Sequence, residues 1–139
     1  MNFDFPQLLK SLQLKVTPQR LAILEIMRIA DTYLSPEEVQ EQVQQRANGK
    51  VGLPTIYRNL EELSAQGVIS KILHPNRQLY YYFCANRDHH HHFVCLACRT
   101  VQDLHDCGCA EMASQIDGQV EFQIMQALGT CRRCCTQNA

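Results

Sequence analysis

Behind Thr17-Pro18, Leu21, Leu24 and Met27 recur at helical spacing, with Ile23 and Ile26 widening the stripe. An apolar stripe of this period covers one face of a helix. Thr17 is an N-cap by type, and Pro18 suits the first helical position, where its missing N–H costs nothing. A second start follows at Ser35-Pro36-Glu37-Glu38, where Ser35 and Glu38 form a capping box. A third helix, PTIYRNLEELSAQ, is predicted from about Pro54 to Gly67, a residue suited to the left-handed position after a helix end. The period then changes. VISKIL (68–73) and QLYYYF (78–83) flank the turn-rich HPNR and predict a β-hairpin. Three helices and a hairpin outline a winged helix-turn-helix, whose last helix enters the major groove while the hairpin lies beside the phosphates.

The pattern is less regular after Cys84. Phe93–Cys95 and Thr100–Leu104 read as short strands, and Cys109–Ile116 as a helix ended by Gly118. The alternation of Val120, Phe122 and Ile124 predicts another strand before the final cysteines. Such a unit exposes strand edges and has little core, so dimerisation is a natural way to complete it. The expected fold class is α+β: a winged helix-turn-helix DNA-binding domain over 1–83, then a small α+β dimerisation and metal-binding domain over 84–139.

Composition narrows the function classes. The chain has 139 residues and a formal charge of −1, so no strongly basic stretch advertises nucleic acid. The part up to residue 83 carries nine Lys/Arg against eight Asp/Glu, and the rest four against six. The N-terminal part is therefore the better partner for an anionic polymer. Met1–Lys10 lacks a basic start and an apolar run, and no window is long and apolar enough to span a bilayer. The expectation is a soluble, cytoplasmic protein without a membrane partner. Eight cysteines in a reducing compartment point to metal binding or redox chemistry rather than disulfides.

The cysteines carry the strongest chemical signal. Cys95-x-x-Cys98 and Cys131-x-x-Cys134 each offer two thiolates, and four thiolates around Zn²⁺ make a closed tetrahedral structural site. Thirty-two residues separate the pairs, so the ion would pin the end of the chain to the strand at Phe93 rather than close a compact ribbon. Cys135 directly follows one presumed ligand and competes with Cys134 for the role. Cys107 and Cys109, two apart, are poorly spaced to share an ion. Upstream lies CANRDHHHHFVCLAC (84–98). Four consecutive histidines cannot all bind one ion on an extended segment, because neighbours point to opposite faces. His90 can pair with His92, and His89 with His91.

TPQR (17–20), LPTIYRNLEELSAQGVI (53–69), HHHHFVCLAC (89–98) and CRRC (131–134) occur in the order expected of the ferric-uptake-regulator family, which the chain resembles over nearly its whole length. The resemblance implies a homodimeric, metal-dependent repressor with an N-terminal winged helix and a C-terminal dimerisation domain. It also implies one structural zinc per subunit and one sensory metal in the hinge. Iron and peroxide sensors of the family carry a histidine just before the capping box, where this chain has Tyr33. They carry a carboxylate after the second hairpin strand, where this chain has Cys84. A cysteine there, with two histidines following, resembles the zinc-uptake branch. The implied sensory ligands are Cys84, His90 and His92, with Asp103 or His74 as the fourth, since Ser70 replaces the donor usual at the start of the wing. A thiolate in place of a carboxylate favours Zn²⁺ over Fe²⁺ or Mn²⁺. An auxiliary site would use His89, His91 and Glu111, but Gln123 stands where its later histidine would be.

The same resemblance puts Thr55, Tyr57 and Arg58 on the DNA-reading face of the third helix. Lys15 matches the minor-groove contact, and Gln19 and Arg20 match backbone positioners. The expected partner is double-stranded operator DNA, with no small organic substrate and no enzymatic activity. Two alternatives remain open. One is an iron or peroxide sensor of the same family, with Fe²⁺ or Mn²⁺ in the hinge. The other is a thiol oxidoreductase built on the CxxC pairs, which lack the βαβ pattern usual for that class. A hydrolytic zinc enzyme would need an open coordination position beside a general base, and none is apparent.

Overall fold

The computed structural model describes residues 4–30, 32–47, 49–84, 91–104, 108–121 and 126–137. They fall into two compact units, Met1–Arg87 and Asp88–Ala139.

The first unit runs α1 (Phe5–Ser11), α2 (Pro18–Ala30), α3 (Pro36–Ala47), α4 (Leu53–Ala65), β1 (Ile69–Leu73) and β2 (Leu79–Phe83). Two of the three expected helices, α2 and α3, begin where their caps place them, and α4 begins at Leu53 after Gly52, one residue before the expected Pro54. Thr17 Oγ1 accepts from the Arg20 N–H at 3.2 Å. The capping box is reciprocal: the Glu38 N–H donates to Ser35 Oγ and the Ser35 N–H to Glu38 Oε1, each at 3.1 Å. At the end of α4, Gly67 adopts φ +76°. That conformation lets the Val68 N–H reach the Leu63 carbonyl and the Gly67 N–H reach that of Ser64, each at 3.0 Å. This is a Schellman closure, and it turns the chain into the hairpin.

Helix α1 was not expected. Asp4 caps it by accepting from the Gln7 N–H at 3.0 Å, and Pro6 sits in its first turn. Seven residues are too few to hold a helix alone. Phe5 and Leu9 are buried, and Phe5 meets Phe83 edge-on at 5.7 Å.

β1 and β2 pair antiparallel from Ile69↔Phe83 to Leu73↔Leu79. Leu34 joins them through two backbone bonds with Tyr81, of 2.9 and 2.8 Å, so the segment between α2 and α3 is stitched to the hairpin. Ile23, Leu24, Met27, Ile56, Leu60, Leu63 and Ile69 form the core between helices and hairpin.

The second unit contains β3 (His91–Cys95), β4 (Val101–Leu104), α5 (Cys109–Ser114), β5 (Gln126–Gly129) and α6 (Arg132–Gln137). The sheet order is β4-β3-β5, with β4 antiparallel and β5 parallel to β3. The strand expected on Val120, Phe122 and Ile124 is corrected in part. Val120 lies outside any strand, 122–125 lie outside the described residues, and the strand found is β5. Its QALG sequence shows no alternation. What selects it is pairing along β3, which ends with Gly129 opposite Cys95. Among the described residues no helix is long and apolar enough to cross a membrane.

Candidate metal centre and nucleic-acid interface

Each cysteine of the two pairs is placed by a different piece of backbone. Cys95 ends β3, and the following turn closes through Arg99 at φ +67° with the Cys95 N–H bonded to the Thr100 carbonyl at 2.9 Å. Cys98 lies inside that turn. The parallel pairing of β5, continued by the Leu96 N–H to the Gly129 carbonyl at 2.8 Å, delivers Cys131 beside Cys95. Cys134 follows in the first turn of α6, where it is buried.

The four sulfurs lie within 4.8 Å of one another. Four sulfurs each about 2.3 Å from a tetrahedral zinc stand about 3.8 Å apart. Cys98 Sγ and Cys131 Sγ are 3.7 Å apart, close to that edge. No disulfide joins the described cysteines. The donor set and its spacing therefore fit a four-thiolate metal site. Cys135 is exposed, and its Sγ–H points to the Thr130 carbonyl at 3.4 Å, so the geometry prefers Cys134. Cys107 and the side chain of Cys109 lie outside the described residues.

The surroundings favour negative sulfur. The Thr100 hydroxyl is 2.9 Å from Cys98 Sγ and, with the Thr100 backbone, lowers that thiol to about 5. The N–H groups of Cys131 and Cys98, at 3.3 and 3.5 Å from Cys95 Sγ, hold the Cys95 thiol below its usual value. Cys134 is pushed up to about 12, first by hydrogen bonding with Cys131 and then by burial. Two sulfurs are thus favoured as thiolates. Further negative charge needs a counter-cation, which a divalent ion at the centre would supply. Sequence reasoning missed Thr100, although a hydroxyl two residues after a ligand was there to be noticed.

Those of the other expected ligands that are described sit on different elements of both units. His91 and His92 are successive residues of β3, both buried, and alternate across the strand. His92 lies opposite Asp103 on β4, with Nε2 3.5 Å from Asp103 Oδ1. Cys84 is buried just past the end of β2. His89 and His90 lie outside the described residues. His74 begins the hairpin turn, where its Nδ1 accepts from the Asn76 N–H at 3.1 Å and its ring sits 5.3 Å from that of Tyr80. Tyr33 is buried and packs edge-on against Tyr80 at 4.9 Å. Glu111 is exposed in the first turn of α5.

On α4, Tyr57 and Arg58 are exposed and Thr55 half-buried, while Ile56, Asn59 and Leu60 turn inward. The Tyr57 hydroxyl is 3.4 Å from Glu37 Oε1, and Glu37 Oε2 also accepts from Gln78 Nε2 of the hairpin at 3.2 Å. Burial first, and the Glu37 carboxylate second, hold the Tyr57 phenol above its usual value. Lys15 and Gln19 are exposed. Arg20 departs from expectation. Instead of lying on the surface as a phosphate contact, it is buried, donating from Nε to Asn59 Oδ1 and from Nη1 to the Lys15 carbonyl, each at 3.0 Å, and pairing with Glu62 through Nη2. A charge out of water must find such partners.

Comparison with known proteins places this arrangement. The profile described as "Ferric uptake regulator family" matches residues 11–128. The ferric uptake regulation protein of Campylobacter upsaliensis is 26% identical over 135 residues, covering 94% of this chain and 86% of that protein. The zinc uptake regulation protein of Mycobacterium tuberculosis is 26% identical over 122 residues, covering 85% and 92%. Among solved structures, a zinc uptake regulator complexed with zinc and DNA superposes with a TM-score of 0.80 at 22% identity, covering 96% of this chain and 91% of that one. That likeness establishes the fold, including the N-terminal winged helix.

Proposed function

The chain belongs to the ferric uptake regulator family of metal-responsive transcriptional regulators, and from that premise we propose that it is a zinc-responsive repressor. It acts in the cytoplasm as a homodimer on A·T-rich palindromic operators and catalyses no reaction. Zn²⁺ held by Cys95, Cys98, Cys131 and Cys134 is structural, one ion per subunit. A second Zn²⁺ per subunit is regulatory, bound by Cys84, His90 and His92 with Asp103 as the fourth donor. The approach of Asp103 to His92 supports that choice. His74, with Nδ1 engaged by Asn76, fits the hairpin turn better than the metal.

The observation that carries zinc rather than iron is Cys84, a buried thiol at the exit of the wing. Thiolate among imidazole and carboxylate donors selects a softer, tetrahedral ion. Tyr33 supports the same reading, because a phenol packed on Tyr80 fills the place of an imidazole in the iron and peroxide sensors.

Cys84 closes the winged unit, and His90 and His92 open the next. A bond shared by these residues restrains how the two units are joined. Two reading helices in a dimer must match the groove spacing along one DNA face, so that restraint shifts the population of dimers competent to bind. Tyr57 packs on a thymine methyl, Arg58 and Thr55 reach base edge or phosphate, and Lys15 enters a narrow minor groove with Gln19 on the backbone nearby. Exposed Leu96, Met112, Ile116 and Leu128 in the second unit suit burial against a second copy.

The test is operator binding in zinc-, iron- and manganese-buffered solution, with wild type and Cys84→Ala. Tight binding with zinc alone, lost in the variant, supports the proposal. Binding that follows Fe²⁺ or Mn²⁺ and ignores Cys84 makes the protein an iron or peroxide regulator.

A further inference from the structure

A single guanidinium stands behind both elements that the proposed function lays on DNA. Arg20 is only 7% exposed and Asn59 only 6%. Arg20 Nε donates to Asn59 Oδ1, Nη1 to the Lys15 carbonyl, and Nη2 pairs with Glu62. Asn59 is held in turn, because its Nδ2 donates to the Thr55 carbonyl at 2.9 Å. Asn59 directly follows Arg58 on α4 but faces inward, while Arg58 faces solvent. The three nitrogens therefore reach the loop before α2 on one side and the back of α4 on the other.

We propose that Arg20 is a positioning residue, fixing Lys15 relative to the reading face of α4 so that minor-groove and major-groove contacts form together. The planar fork of an arginine suits this work, because its donors leave at fixed angles. Lysine would keep the charge but offers one ammonium in place of three diverging nitrogens. The role differs from that of a phosphate contact, which changes the salt dependence of binding. It also differs from plain core stability, which changes the active fraction alike for every DNA sequence.

The inference rests on the reading that Lys15 and α4 contact DNA, and the test separates the two. Full-length, zinc-loaded protein is titrated with an operator and with a copy whose A·T flanks are replaced by G·C. Each titration is repeated across salt concentrations, with active fraction measured by stoichiometric binding. Arg20→Lys is expected to weaken operator binding about tenfold, the cost of roughly one lost base-pair contact. The preference for A·T flanks should shrink towards none while the salt slope stays unchanged. Asn59→Leu, a buried substitution that cannot touch DNA, should reproduce the loss of preference. Lys15→Ala should cost much less in the Arg20→Lys background than in wild type.

Additive effects of Lys15→Ala and Arg20→Lys, with flank preference intact in both Arg20→Lys and Asn59→Leu, would overturn the inference. So would Arg20→Gln lowering the salt slope by about one with preference intact, the signature of a direct phosphate contact. If Lys15→Ala and Arg58→Ala leave wild-type binding unchanged, the DNA reading itself fails, and this inference falls with it.

Discussion

The two units are held together by different means. In the first, Ile23, Leu24, Val39, Ile56, Leu60 and Leu63 are buried almost without residue, and caps and a Schellman turn close the helix ends around them. In the second, the buried apolar side chains among the described residues are few, chiefly Val94, Cys95 and Cys134, while Leu96, Met112, Ile116 and Leu128 stay exposed. Apolar burial supplies most of the stability of ordinary domains. A short three-stranded sheet with so little of it needs a cross-link, and the four sulfurs stand where one would join β3, the β3–β4 turn, β5 and α6. One unit is a core that displays a reading helix. The other is a frame whose four clustered sulfurs are placed to take a metal cross-link.

That contrast is broken most severely by removing one sulfur. Cys131→Ser, or a strong chelator, should unfold the second unit and release the zinc, since structural zinc sites contribute on the order of 10 kcal/mol to folding. Hydrogen exchange should then show protection lost across β3, β4 and β5 and kept in α2 and α4. Equal loss in both units would make the first as metal-dependent as the second.

The converse substitution is Leu60→Ala. It should cost about 2–5 kcal/mol in the first unit, through lost burial and an unfilled cavity. Thermal unfolding should fall while zinc content, measured on the folded protein, stays as in wild type. A smaller effect is expected of Ser35→Ala, which removes half of the capping box at α3. It should cost about 1 kcal/mol by denaturant titration, again without loss of zinc.

The smallest effect tests an electrostatic tie in the wing. Glu61 accepts from Lys71 Nζ at 2.8 Å and from the Tyr81 hydroxyl at 2.5 Å. The Lys71 bond first, then that of Tyr81, hold its carboxyl below the ordinary 4.5. A depressed acid stabilises the fold fully above its unfolded value and loses that contribution as pH falls through the lower folded value. Because Glu61 is half exposed, the effect should stay under about 1 kcal/mol. Glu61→Gln should flatten the stability-versus-pH curve below about pH 5 by that amount; an unchanged curve would mean the tie contributes nothing.

Much of the first unit was legible because its signals are local. Thr17, Ser35 with Glu38, and Gly67 act within a turn of themselves, and the hairpin is marked by two strand-like runs around HPNR. Thiol spacing marked the metal pairs for the same reason. What escaped depends on distant partners. Phe5 needs Phe83 to hold α1, and QALG becomes a strand only beside β3. Arg20 looked like a surface cation because its acceptors, Asn59 and Glu62, lie about forty residues away and share no local pattern with it. The convergence of Cys95 and Cys98 on Cys131 and Cys134 was expected from chemistry. The parallel strand that achieves it was not.

The proposed function divides labour between a zinc that holds the second unit and a zinc that controls DNA binding. The direct measurement is one chelator titration in which bound zinc per chain, operator affinity and folding are followed together. Two steps are predicted: operator affinity disappears as the first zinc leaves, while one zinc per chain and the folded second unit persist to much higher chelator strength. A single step, with DNA binding, fold and all zinc lost together, would contradict it.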